Sequence, residues 1–139
     1  MLLLASALQA YAHISRNMFM LSNLNTDIGL SSPRVYSIVE AEDGAMWIST
    51  KRGVDRYNGQ QVTNYTLYTE MPYSDASGRS IKLTKDAQHL IYAYDNKGKV
   101  YIYDKRKDAF VLKCNLQHIL GGSIVLNELV VDGKGNFWL

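Results

Sequence analysis

The chain repeats itself, and the period is what most limits its possible folds. A shift of 91 residues lays Trp138 on Trp47, Gly135 on Gly44, Phe137 on Met46 and Leu129 on Ile38, so "EDGAMWIST" and "GKGNFWL" share one frame. A shift of 45 finds a middle copy: Tyr92 falls on Trp47, Ile91 on Met46, Asp95 on Thr50 and Gly98 on Gly53. With one residue inserted after Gly98, "VYIYD" lies over "VDRYN". Self-similarity at such a period means units that cannot bury their apolar faces alone and must stack.

Within the first copy the strands read directly. "RVYSIVEA" alternates apolar and polar residues, "EDG" is a turn, "AMWIST" returns, "KRG" turns, "VDRYN" follows, and Asn58-Gly59 leads into "QVTNYTLY". Four antiparallel strands in one meander, repeated near 45 residues, are the size of a β-propeller blade. The expected fold is all-β, an incomplete propeller of about two and a third blades. A lead-in at 13–29 precedes blade 1 at 30–67, an inter-blade loop at 68–79, blade 2 at 80–116 and the start of blade 3 at 117–139. Trp47, Tyr92 and Trp138 are the large plates expected to fill the space between blades. The repeat is punctuated by Asp43, Gly44, Gly53, Tyr57, Gly98 and Gly135.

Composition excludes several functions. The 15 basic and 13 acidic residues are scattered, leaving no electrostatic footprint for nucleic acid. The single cysteine, Cys114, rules out an intrachain disulfide and a cysteine zinc cluster. His13, His89 and His118 are dispersed and make no metal motif. The sequence implies no cofactor and no metal. Residues 1–12, "MLLLASALQAYA", end in the small-x-small pattern of Ala10-Tyr11-Ala12 and read either as the remnant of an export signal or as an apolar segment packed on the domain. No other run is long enough to span a membrane.

"GLSSPRVYSIVEAEDGAMWISTKRGVDRYNGQQVTNYT" resembles the two-component-regulator propeller repeat. Asp43-Gly44, Trp47, Thr50, Gly53 and Tyr57 match its pattern, while Val54 stands where leucine is common and Ser49 where glycine is expected. The resemblance implies the N-terminal part of the periplasmic sensing region of a hybrid two-component receptor. That receptor would be anchored in the inner membrane, carry histidine kinase activity elsewhere, and recognise oligosaccharides from polysaccharide breakdown. The chain itself shows no catalytic motif and reads as non-enzymatic. The alternatives are a free-standing propeller-like domain that assembles with another chain and, less favoured, a piece of a propeller enzyme. Partners would be an oligosaccharide and either further blades or a second copy.

Blade geometry puts "SSPR", "TKRGV" and the long loop "YTEMPYSDASGR" at one end. Arg34, Arg52, Tyr73 and Arg79 gather there as candidate ligand contacts, with tyrosine to stack on a sugar and arginine to bond hydroxyls or carboxylates. The sequence favours the plainer reading, that they are solvated loop residues with no ligand. The opposite end carries the short "EDG" and "NGQ" turns, where little room for ligand readout is expected.

Overall fold

The computed structural model describes residues 22–67 and 80–139. The possible export segment, most of the lead-in, His13 and the 68–79 loop with Tyr73 and Arg79 lie outside the described residues. What is described is mostly strand. A sheet in the order β1 (Val35–Glu40), β2 (Met46–Thr50), β3 (Gly53–Tyr57), β4 (Val62–Tyr65) is followed by a second, β5 (Ile81–Lys85), β6 (Ile91–Asp95), β7 (Lys99–Asp104), β8 (Ala109–Asn115). Both are antiparallel meanders. A third, two-stranded pair joins β9 (Val130–Val131) to β10 (Phe137–Trp138). These are propeller-type blades, and the described array does not close into a ring.

Strand register shows that the three sheets are copies. Trp47 pairs with Val39, Tyr92 with Thr84 and Trp138 with Val130, the same separation each time. The hairpin before each aromatic also repeats. Ala41, Asp86 and Asp132 each donate a backbone N–H across the turn, to Ala45, Leu90 and Asn136. The left-handed turn position is Gly44 at φ 76°, His89 at φ 61° and Gly135 at φ 80°. Blade 2 thus holds a histidine where its sister blades have glycine, in a conformation that costs a side chain with a Cβ about 1–2 kcal/mol.

The core lies between blades. One face of blade 1, with Trp47, Val54 and half-buried Val39 and Tyr65, meets Ile81, Leu83, Ile91, Ala93 and Tyr101 of blade 2. The far face of blade 2, with Tyr92, Tyr94 and Val100, meets Leu129, Val131 and Phe137 of the third pair. Trp47 is 2% exposed and packs at 4.6 Å from the Tyr103 ring and 5.5 Å from Phe110, both on blade 2. Tyr92 meets Phe137 edge-on at 6.0 Å. Polar bonds also cross these junctions. The Leu83 N–H donates to Ser37 Oγ at 2.8 Å, Lys85 Nζ to the Glu40 carbonyl, and Lys82 Nζ to that of Asn127.

Two features were not read in the sequence. Ser49, at the repeat's expected glycine, is fully buried, and its hydroxyl bonds both the N–H and hydroxyl of Ser37, the residue that receives Leu83. The departure is therefore part of the junction between blades. A short helix, α1 (Leu116–Leu120), begins the connection to the third pair, capped by the Asn115 side chain on the Gln117 N–H and ended by Gly121. Five residues carry too little periodicity to announce themselves in an all-β pattern.

Candidate functional site

The blades define two ends, each with candidate residues. At the end carrying the β2–β3 turn, the Lys51 N–H donates to the Arg34 carbonyl at 3.1 Å, which holds Arg34 beside the turn that contains Arg52. Both arginines are exposed. The chain reaches Arg34 through a docked lead-in. A 3-10 turn at Thr26–Ile28 is capped by Asn25 and Gly29, and Ser31 then donates both its N–H and its hydroxyl to Asp55 Oδ2 at 2.8 Å. Asn64 Nδ2 donates to Asp55 Oδ1 at 2.7 Å and also to the Gly29 carbonyl. Asp55 is completely buried, and these donors replace the water a carboxylate would otherwise need.

The opposite end has more room than its short turns suggest. A cleft of about 480 Å³ opens between blades 1 and 2, lined by the turns at Ala41–Asp43 and Gln88–Leu90 and by Arg56, Tyr103 and Lys105, with Trp47 in its wall. The space lies between the turns of neighbouring blades, so the length of either turn alone does not reveal it. Arg56 sits 5.7 Å over the Trp47 ring and pairs with Asp43. The Ala45 N–H and the Arg56 guanidinium hold the Asp43 carboxyl below the usual range.

A small polar cluster sits near this cleft. Tyr103 and Tyr65 hydroxyls both donate to Asp108 Oδ1, at 2.6 and 2.8 Å, which joins blade 1 to blade 2. Those bonds lower the Asp108 pKa, with a smaller contribution from Arg56. Burial and the bond to Asp108 raise those of Tyr103 and Tyr65. The cleft therefore offers cationic and amide donors (Arg56, Lys105, Gln88), carboxylate acceptors (Glu42, Asp43), His89 and an aromatic wall. That mixture suits a hydroxyl-rich ligand, which both gives and takes hydrogen bonds.

Of the cleft residues, the sequence singles out Asp43 and Trp47, as repeat residues rather than ligand contacts, and sets His89 aside as dispersed. Arg56 and Lys105 had no such signal, since their place depends on how two blades meet. Of the repeat residues, Trp47 and Tyr92 are buried at junctions, while Trp138 is 63% exposed. Gly53 and Gly98 allow close approaches, and the Tyr57 hydroxyl bonds the Gly59 carbonyl. Among the described residues no group of three or more histidine, cysteine, aspartate or glutamate side chains could hold a metal ion. Nor, among them, is any helix long and apolar enough to cross a membrane.

Successive four-stranded antiparallel blades in one register, joined through buried aromatics, are the architecture of a β-propeller. Residues 29–52, from the glycine of the lead-in through β1 and β2 to Arg52, match the family model of the two component regulator propeller. No curated protein matches the chain.

Proposed function

We propose that this chain is part of the periplasmic ligand-sensing propeller of a two-component receptor and that its ligand is an oligosaccharide released from a polysaccharide. The observation that carries the reading is the propeller-repeat match over 29–52, on a blade whose junction with the next holds a cleft of mixed donors, acceptors and aromatic surface. A sugar presents hydroxyls at its rim and C–H bonds on its face, and Arg56, Lys105, Glu42 and Tyr103 offer partners for both.

The end with Arg34 and Arg52 is the competing location, together with Tyr73 and Arg79. Calorimetry with a panel of neutral and acidic oligosaccharides separates the two. Binding that weakens about tenfold or more in Lys105→Ala or Arg56→Ala but survives Arg34→Ala, Arg52→Ala, Tyr73→Ala and Arg79→Ala puts the sugar in the inter-blade cleft, and the reverse pattern puts it at the long-connection end. No heat with any glycan in the panel counts against sugar sensing.

A further inference from the structure

We infer that His89 is a ligand-contacting residue of the inter-blade cleft, one that both gives and takes a hydrogen bond with the sugar and so helps to set which sugar is accepted. This rests on the reading of that cleft as the sugar site.

The turn that carries His89 needs no side chain at this position. In all three hairpins one backbone bond closes it, from the N–H of Gly44, His89 and Gly135 to the carbonyl of Ala41, Asp86 and Asp132, at 3.0, 3.1 and 2.9 Å. Glycine makes that bond in blade 1 and in the third pair, where an added Cβ would touch nothing within 4 Å. His89 makes it at φ 61°, in the left-handed region that a residue with a Cβ enters at a cost. The backbone around it is held from several sides. Asp86 Oδ1 accepts from the Gln88 and Leu90 N–H groups, each at 2.9 Å, Asp86 Oδ2 takes the Tyr92 hydroxyl, and Gln88 Nε2 donates to the Gly133 carbonyl. Strain held this firmly is characteristic of ligand clamps.

The imidazole is exposed in the lining of the cleft, and among the described residues it has no hydrogen-bond partner. The groups around it are restricted to one role or already engaged. Arg56 and Lys105 only donate, and the Glu42 and Asp43 carboxylates only accept. Tyr103 gives its hydroxyl hydrogen to Asp108, and the Gln88 amide nitrogen is bonded to Gly133. An uncharged imidazole donates at one nitrogen and accepts at the other, which matches neighbouring sugar hydroxyls in both senses.

Calorimetry with the panel of neutral and acidic oligosaccharides, on the 139-residue chain and its His89→Gly variant, tests this, with urea midpoints measured for both. His89→Gly relieves the turn, so the variant is expected to be the more stable protein and yet to bind the tightest glycan of the panel about fivefold more weakly, as the loss of one hydrogen bond implies. Damage to the fold would instead lower both, and a second readout is independent of it. In long-range proton–nitrogen spectra of the parent, the His89 ring nitrogens, assigned by their absence from His89→Gly, are expected to shift as that glycan is added. A His89→Gly chain that binds the glycan as tightly as the parent, or His89 nitrogens that stay in place at saturation, overturns the inference and leaves the sugar reading standing. A parent that binds no glycan in the panel overturns both.

Discussion

At the residue scale, the repeat shows where a side chain is tolerated and where it is costly. His89 holds the left-handed turn position that its sister blades give to glycine, and an added Cβ at Gly44 or Gly135 would meet only open space. The cost at His89 is thus conformational. His89→Gly should stabilise the chain by about 0.5–1 kcal/mol, the left-handed penalty relieved less the added freedom of the unfolded chain. A higher urea midpoint at unchanged slope would show it. Gly53 is the opposite case, because a Cβ there would lie 2.4 Å from the Tyr65 carbonyl oxygen at φ 149°. Gly53→Ala should cost about 2–3 kcal/mol by the same assay, since the neighbour is backbone of the adjacent strand and cannot swing aside.

At the element scale, the hairpins and junctions carry the titrating groups. Bonds from Asn136, Trp138 and Lys134 bring the Asp132 carboxyl down to about 2, and Asp43 and Asp108 are also lowered. A carboxylate with a depressed folded pKa stabilises the fold above its unfolded value near 4, and that contribution disappears as pH falls toward 2. Burial, then Asp86, pushes Tyr92 up to about 12, and burial raises Tyr94 and Tyr103 as well. A phenol with a raised folded pKa gives its full stabilisation below about pH 10 and loses it toward pH 12. Urea unfolding across this range should show a decline at both ends. Tyr92→Phe should flatten the alkaline decline, and an unchanged slope would mean that Tyr92 does not titrate with folding.

Much of this element structure was legible because it is local. Alternation and turn residues are sequence properties, so the strands of blade 1 and the repeat frame could be read from one chain. Ser49 could not be read the same way. It departs from the expected glycine for a partner, Ser37, and through it for Leu83 on another blade, and only the packed junction shows that pairing. The cleft was hidden for the same reason, since Asp43 and Arg56 meet Lys105 and His89 only when two blades are set side by side. Short turns were read as leaving little room, which describes one blade but not the space between two.

At the scale of the whole molecule, the account claims that one position in the repeat is buried where the described residues place another blade against it and open where they do not. Trp47 and Trp138 occupy that position in blades 1 and 3, and both are natural fluorophores. Truncating the buried one, Trp47→Ala, should cost about 3–5 kcal/mol, whereas Trp138→Ala should scarcely change the stability of dilute protein, as denaturant unfolding would show. The most direct test is acrylamide quenching of two single-tryptophan proteins, Trp138→Phe and Trp47→Phe, at a concentration too low for association. The account predicts that Trp47 emits in the blue and resists quenching, while Trp138 emits in the red and is readily quenched. Equal accessibility of the two, or a shielded Trp138 beside an open Trp47, would contradict it.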